Sequence, residues 1–274
     1  MGAPAATATS VRAHAKLTRS LRITGVRHDG YHLIDAEMVS LDLHDVLTID
    51  PARVGLAAHG PFAGGMPLDD SNLVARALRL AERTAHVTID KRIPHGGGLG
   101  GGSTDAATAL RWAGFLDRAG AAADRSDAAA LVAASRLGAD IPFCLVGGRA
   151  RVRGIGEIVD PLPHLDLVVT LVIPPIAVST PAAYRAWDAL GGPTAAGPND
   201  LEPAAISVEP RLARWRDLIG DRIGARPVLA GSGATWFAEG EHGDALADLV
   251  DEGATVVVAR TVPMDVAAGI STGV

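Results

Sequence analysis

A glycine-rich stretch constrains the fold of this chain more than any other feature. Six of the seven residues from Gly96 to Gly102 are glycine. Because glycine loses more conformational freedom on folding than any other residue, such a run is favoured only where the backbone must bend sharply or approach a ligand closely. A strand-like segment, 86–90, precedes the run, and a segment rich in helix formers, 106–113, follows it.

The order strand, glycine loop, helix predicts an anion-binding site. Ser103, Thr104 and Asp105 stand where a helix start favours them. Backbone N–H groups at the start of a helix lack intrahelical partners, and the helix dipole adds positive potential there. We therefore expect the loop to bind an anion, and a nucleotide phosphate is the expected one.

These residues alone are also compatible with other kinds of glycine-rich segment. A Walker loop requires lysine before Ser103, and Gly102 stands there instead. A G-x-G-x-x-G match at 96–101, with Asp117 about 20 residues further on, is typical of dinucleotide sites. Any glycine run produces that match, however, and Asp117 falls late in a helix predicted over 103–118. An NAD-linked oxidoreductase, a flexible linker and a catalytically impaired nucleotide-binding protein are therefore the alternatives.

Length and composition limit the class of protein. A chain of 274 residues predicts one large or two modest domains, and 48% apolar residues allow a large core. The net charge of −6 argues against a nucleic-acid partner. The single cysteine, Cys144, lies in an apolar segment, which predicts a buried thiol and a cytoplasmic location. The apolar run 165–178 contains Pro174 and Pro175 and is too short to span a bilayer, so no membrane association is expected.

Lysine usage carries a separate signal. Lys16 and Lys91 are the only lysines among the 25 basic residues, and all the others are arginine. Lysine presents a compact charge where arginine presents a wide planar fork. We therefore expect positions 16 and 91 to require a compact ammonium group. The alternative is that these two lysines are present by chance.

The segment Pro94–Thr104 resembles the central motif of the GHMP small-molecule kinases, most closely in the branch that phosphorylates 4-diphosphocytidyl-2-C-methyl-D-erythritol. Further segments that resemble the same family include Ala15-Lys16-Leu17, Gly30-Tyr31-His32, Gly138-Ala139-Asp140-Ile141-Pro142-Phe143 and Val228–Thr235. The resemblance covers roughly residues 11–260. It implies an α+β fold of two domains, a ribosomal-protein-S5-like N-terminal domain over 11–160 that binds ATP and a ferredoxin-like C-terminal domain over 161–274.

The resemblance also implies an activity. A kinase of this branch transfers phosphate from ATP, with Mg²⁺, to the 2-hydroxyl of the cytidine diphosphate methylerythritol substrate in non-mevalonate isoprenoid biosynthesis. Asp140 is then expected to take the proton of that hydroxyl, and Lys16 to keep Asp140 ionised and to neutralise charge on the γ-phosphate. No all-protein metal cage is expected, and a monomer or weak homodimer is the expected state. Another small alcohol as substrate is the alternative within the family.

The expected binding residues follow from the same resemblance. Contacts to ATP are assigned to Pro94, His95, Gly96, Gly97, Gly98, Leu99, Gly100, Gly101, Gly102, Ser103, Thr104, Asn72 and Lys91, the last two beside the adenine. Tyr31 is expected to stack on cytosine, His32 to hold the cytidine, and Thr18 to contact the erythritol end. The family usually has asparagine where this chain has Thr18. Taken alone, simpler interpretations are favoured: Tyr31 as a turn aromatic, His32 as a surface histidine and Asp140 as a helix cap. Asn72 is also typical of a helix cap, a role compatible with the adenine contact.

Overall fold

The computed structural model describes residues 7–115 and 125–267. Its first sheet has the strand order β3-β4-β2-β5-β6, and β1 pairs with β2. The strands are β1 (Thr9–Val26), β2 (His32–Asp50), β3 (Gly55–His59), β4 (His86–Asp90), β5 (Arg149–Gly154) and β6 (Ile158–Leu162). All pairings in this sheet are antiparallel except that of β3 with β4.

The long hairpin of β1 and β2 organises this sheet. The sequence predicts two strands, 33–43 and 45–49, where the structure has the single strand β2. Pairing with β1 runs from Thr9 opposite Ile49 to Val26 opposite His32, and this continuous partner carries β2 past the predicted break at 44. Register shifts beside Lys16 and before Ser20 bend β1. Those shifts lie at the part of β1 that carries the candidate site residues.

Four helices lie between the strands of the first sheet along the chain: α1 (Leu73–Leu80), α2 (Gly101–Trp112), α3 (Arg125–Ser135) and α4 (Ile141–Val146). Helix α2 contacts β1 and packs against α1 and α4. It begins two residues earlier than predicted, because Gly100 in the left-handed region is its N-cap. Ser103, Thr104 and Asp105 are therefore the third to fifth residues of the helix rather than its first three. The predicted end of this helix, including Asp117, lies outside the described residues.

A second antiparallel sheet has the order β10-β7-β9-β8. Its strands are β7 (Val168–Ile173), β8 (Val228–Leu229), β9 (Trp236–Glu239) and β10 (Thr255–Arg260). The helices of this half are α5 (Thr180–Ala189), α6 (Glu202–Val208), α7 (Arg211–Ile223), a 3₁₀ helix (Asp244–Val250) and α8 (Met264–Ala267). None of the helices in 7–115 and 125–267 combines the length and apolar character needed to cross a membrane.

The apolar cores link the two sheets. The first core, beneath the six-stranded sheet, also contains Trp187 and Leu201 from the second half of the chain. A second core joins Leu17 and Leu99 to Leu171. The predicted α+β class is confirmed. The strands of the first sheet end at Leu162, and those of the second sheet begin at Val168. Helix α5 and the start of α6 nevertheless pack on the first core. The predicted domain division at 160/161 therefore stays a prediction.

Candidate active site

The glycine loop is seated against the second sheet. Gly98 has φ +75°, and a Cβ added there would lie 3.0 Å from the carbonyl oxygen of Gly233 and 3.2 Å from that of Ala230. The Thr235 N–H donates to the carbonyl of Gly97 over 3.3 Å. A side chain at 98 would therefore push the loop away from the turn that supports it. The Val228–Thr235 segment thus contacts and supports the central motif.

Lys16 lies directly beneath the end of this loop. Its backbone N–H donates to the carbonyl of Leu99 over 3.0 Å. A Cβ on Gly100, which has φ +70°, would come within 2.6 Å of the Lys16 Cγ. The ammonium group emerges 3.2 Å from Asp140 Oδ2 and 3.2 Å from the Thr18 hydroxyl. Lys16 and Asp140 therefore lie together beside the glycine loop, as their expected roles require, and the roles themselves stay predictions.

Asp140 stands at the N-cap position of α4 but does not cap it. Its side chain makes no capping hydrogen bond. The carboxylate is turned toward Lys16 and is 34% exposed, whereas the Lys16 side chain is 6% exposed. Residues Ile141 to Leu145 are buried, so the short helix anchors Asp140 rigidly. The simple cap interpretation does not describe this side chain, whose carboxylate is available to a ligand.

A cavity of about 820 Å³ runs from the glycine loop to the turn after β1. It brings together seven of the residues predicted for the site: Lys16, Thr18, Tyr31, His32, Gly98, Ser103 and Asp140. The volume suits a ligand of drug size or larger. Three arginines that the sequence interpretation overlooked, Arg27, Arg136 and Arg185, also line it.

Aromatic and acidic side chains form the far end of the cavity. Tyr31 is 59% exposed at the rim. His32 Nε2 lies 2.8 Å from Asp188 Oδ1, and the ring of Tyr184 packs on His32 with 4.7 Å between centroids. Burial, with a smaller contribution from Asp140, raises the pKa of Tyr184 to about 12, so the phenol stays neutral. The sequence interpretation missed Asp188, although its spacing of four from Tyr184 on α5 places both on one helix face.

Comparison with known proteins decides the family. The model for "GHMP kinases N terminal domain" matches residues 72–148. The chain is 41% identical over 244 residues to the 4-diphosphocytidyl-2-C-methyl-D-erythritol kinase of Paracoccus denitrificans, covering 82% of this chain and 84% of that protein. Its identity to the same kinase of Cereibacter sphaeroides is 38% over 252 residues, covering 84% and 88%. The chain belongs to the 4-diphosphocytidyl-2-C-methyl-D-erythritol kinase family.

Solved structures agree with this family. A crystal structure of 4-(cytidine 5'-diphospho)-2C-methyl-D-erythritol kinase has TM-score 0.69 and 30% identity, over 92% of this chain and 99% of that one. The mevalonate kinase of Methanococcus jannaschii shares only the fold, with TM-score 0.60 and 12% identity. The dinucleotide-binding alternative fails here, because β4 before the loop lies in a sheet whose other pairings are all antiparallel, with only the short β3 parallel to it, and not in the parallel sheet of a dinucleotide-binding fold. Asp117, the acid of that alternative, lies outside the described residues.

Two residues assigned to ATP in this family member are placed differently by the structure. The Lys91 side chain is 2% exposed and lies between Asp45 and Asp105, so it does not line an open adenine pocket. Thr104 is also buried: its hydroxyl donates to the carbonyl of His14 over 2.7 Å, and its N–H donates to Gly100 over 2.8 Å. Both groups of Thr104 are used within the fold. The predicted ATP contacts of the Lys91 and Thr104 side chains are therefore wrong.

The remaining residues predicted to contact ATP differ in how exposed they are and in the hydrogen bonds that they already make. Asn72 caps α1, since its Oδ1 accepts from the Val74 N–H over 2.8 Å, and its Nδ2 donates to the Pro67 carbonyl over 2.7 Å. The Leu99 side chain is buried in the second core, so only its backbone is left to contact a ligand of the loop. Gly96, Gly102 and His95 are exposed, Gly98, Gly100, Gly101 and Ser103 are half-buried, and Pro94 and Gly97 are buried. An adenine contact from Asn72 stays a prediction.

Proposed function

We propose that this chain transfers the γ-phosphoryl group of ATP to the 2-hydroxyl of 4-diphosphocytidyl-2-C-methyl-D-erythritol, a step of non-mevalonate isoprenoid biosynthesis. The chain is a small-molecule kinase of the GHMP family, and its family implies the use of ATP. The observation that carries the proposal is the pair Lys16–Asp140, 3.2 Å apart, facing the glycine loop in one cavity with Tyr31 and His32. The names of the relatives support the substrate.

Asp140 is the proposed general base. Phosphoryl transfer requires an aligned hydroxyl and stabilisation of charge on the moving group, and little covalent help from the protein. The half-buried carboxylate accepts the hydroxyl proton, and Lys16 holds that carboxylate in place while presenting its positive charge to the phosphoryl oxygens. The Thr18 hydroxyl accepts a hydrogen bond from Lys16 over 3.2 Å, so threonine at this position keeps the ammonium group oriented.

The glycine loop is the proposed phosphate site. Backbone N–H groups of the exposed and half-buried loop residues and of the first turn of α2 bind the α- and β-phosphates. The residues present fit Mg²⁺, because the Ser103 hydroxyl and the Asp140 carboxylate, both hard oxygen ligands, line the same cavity. Ser103 would contact the ion or its water, and the ion would neutralise phosphate charge. In residues 7–115 and 125–267 no group of three His, Cys, Asp or Glu side chains is placed to hold a metal.

The nucleoside end of the substrate is assigned to the far end of the cavity. The exposed Tyr31 ring offers a stacking face for cytosine, with the Arg27 guanidinium 5.9 Å from its centroid. His32 is fixed by Asp188 and Tyr184 and so offers a preorganised polar edge. A monomer or weak homodimer, a cytoplasmic location and the two-domain division remain predictions alongside this assignment.

An ADP-release assay tests the proposal. We expect turnover with the cytidylylated methylerythritol substrate and only background release with mevalonate or homoserine. Asp140→Asn should lower kcat at least 10²-fold while ADP still binds, because the amide cannot accept the proton. Comparable rates with mevalonate or homoserine, or a normal kcat for Asp140→Asn, would contradict the assignment.

A further inference from the structure

Strand β1 contains a β-bulge at Arg19. Thr18 and Ser20 pair with consecutive residues of β2, so Arg19 between them has no partner within the described strand pair. Residues two apart on a regular strand share a face of the sheet. Here Thr18 and Leu21 line the active-site cavity, whereas Arg19 and Ser20 line a separate cavity of about 530 Å³. The bulge therefore places Thr18 and Ser20 on opposite faces of β1.

Carboxylates from both sheets hold the Arg19 side chain. One end of its guanidinium, Nη1, donates to Glu37 on β2, and the other end, Nη2, donates to Glu239 on β9. Glu37 is held in turn by Arg149 on β5, whose Nε and Nη2 each donate to it over 3.1 Å. We call Arg19, Glu37 and Glu239 the bulge clamp. Because a guanidinium is a planar fork with donors at both ends, Arg19 joins the two sheets at the bulge.

The residue before the bulge holds the ammonium group of the active site. Thr18 is buried, and its hydroxyl accepts a hydrogen bond from Lys16 Nζ over 3.2 Å. The same Nζ lies 3.2 Å from Asp140 Oδ2. A shift of the backbone at 18–19 would move the hydroxyl and leave the ammonium group oriented by Asp140 alone. Misplacing a reacting group by about 1 Å can lower an enzymatic rate by about 10²-fold.

We propose that Arg19 is a positioning residue that acts through Thr18: the bulge clamp fixes the bulge of β1, and the bulge directs the Thr18 hydroxyl toward Lys16. The inference rests on the proposed function in taking Lys16 as the group that stabilises the transferred phosphoryl group. Arg19 lines the separate cavity, so it acts at a distance and is not a catalytic residue. Its loss lowers kcat and leaves nucleotide binding at the glycine loop unchanged.

Lysine-selective NMR tests the proposal without turnover. Lys16 and Lys91 are the only lysines of the chain, so a protein grown with lysine that carries ¹³C at Cε gives two side-chain signals, which Lys16→Met assigns. Arg19→Met keeps an apolar stem and removes the guanidinium. We expect it to shift the Lys16 signal and to leave the Lys91 signal in place, because Lys91 is enclosed by Asp45 and Asp105.

Kinetics and ADP binding provide the second measurement. Arg19→Met should lower kcat about tenfold and change the Kd of ADP by less than about twofold. Arg149→Met is the matched control, because it removes the other guanidinium bound to Glu37, at 24% exposure against 20% for Arg19, from β5 rather than from the bulge. This control should keep a normal kcat and both lysine signals. In a Thr18→Val background, Arg19→Met should have little further effect on kcat, because the hydroxyl through which Arg19 acts is absent.

The outcomes separate this inference from the kinase assignment. An Arg19→Met protein whose Lys16 signal matches that of the unmodified protein overturns the role of the bulge clamp and leaves the kinase assignment intact, as does one with a normal kcat. A full tenfold further loss in the Thr18→Val background would also overturn it. An unmodified protein that phosphorylates none of the alcohols overturns the kinase assignment, and the Lys16 signal still decides the positioning role.

A second variant covers the case in which Arg19→Met does not fold. Glu239→Ala removes the exposed carboxylate of the bulge clamp and leaves Arg19 bound to Glu37. It should shift the Lys16 signal in the same direction as Arg19→Met, by a smaller amount. An unchanged Lys16 signal in this variant would overturn the inference.

Discussion

Replacement of Lys16 by methionine is the sharpest test of the active-site geometry. Methionine keeps the apolar stem that packs beneath Gly100 but removes the ammonium group that lies 3.2 Å from Asp140. The proposed mechanism uses that charge twice, to orient the carboxylate and to stabilise the transferred phosphoryl group. Its removal should therefore lower kcat far more than it weakens nucleotide binding.

The expected size of the effect follows from the geometry. Two unit charges 4 Å apart interact by about 4 kcal/mol at an effective dielectric constant of 20, which corresponds to about 10³ in rate. Asp140 is 34% exposed, so water weakens the interaction on its side. We therefore expect Lys16→Met to lower kcat by about 10²-fold and to change the Kd of ADP by less than about fivefold.

Steady-state kinetics and a double-mutant cycle measure this effect. Lys16→Met and Asp140→Asn should be strongly non-additive, because the two groups act on the same hydroxyl and phosphoryl group. Lys16→Arg should also lose most activity, since a wide planar guanidinium does not reproduce the compact charge that lies 3.2 Å from Asp140 Oδ2. A kcat within tenfold of normal for Lys16→Met, in a protein with an unchanged melting curve, would refute the mechanism. Full activity of Lys16→Arg would refute the argument from lysine usage.

Two further predictions concern the support of the loop. Gly98→Ala should weaken ADP binding at least tenfold, because its Cβ meets the Gly233 carbonyl at 3.0 Å, whereas Gly65→Ala, with φ +77° and no neighbour within 4 Å, should cost only backbone strain and leave binding unchanged. Equal binding by the two variants would show that the contact is unimportant. Asn199→Ala should lower the free energy of unfolding by about 2–4 kcal/mol in urea denaturation, since the buried amide donates to Leu229 over 2.8 Å and to Gly231 over 2.6 Å. A loss below about 1 kcal/mol would contradict this estimate.

The sequence predicted where the site lies better than which way its side chains turn. The structure places Gly98 and Ser103 of the predicted loop segment in one cavity with Asp140. The expectation for Thr104 failed because the predicted helix began at Ser103, whereas α2 begins at Gly101. Successive helical residues differ by about 100° in direction, so Ser103 can line the cavity while Thr104 turns into the core toward His14. A motif assigns neighbouring residues to one ligand, but in a helix only some of those side chains point toward that ligand.

The predicted adenine contact of Lys91 failed for a different reason. Its position beside the loop is compatible with a ligand contact or with a support beneath the loop, and the deciding partners, Asp45 and Asp105, are 46 and 14 residues away in sequence. No periodicity in the chain connects these three residues. Only the antiparallel pairing of β2 with β4 brings Asp45 beneath the strand end that carries Lys91. Burial of the ammonium group is therefore a property of the sheet register, which single-sequence reasoning does not supply.

The two lysines explain two of the glycines. A Cβ on Gly100 would meet the stem of Lys16 at 2.6 Å, and a Cβ on Gly101 would meet the ammonium group of Lys91 at 2.8 Å. Consecutive loop residues thus rest on the only lysines of the chain, one reaching the cavity and one enclosed by two carboxylates. Both positions use the compact ammonium group of lysine in a chain that otherwise uses arginine. On its inner side the glycine run packs closely on the stem of Lys16 and on the ammonium group of Lys91, which leaves no room for a side chain at Gly100 or Gly101.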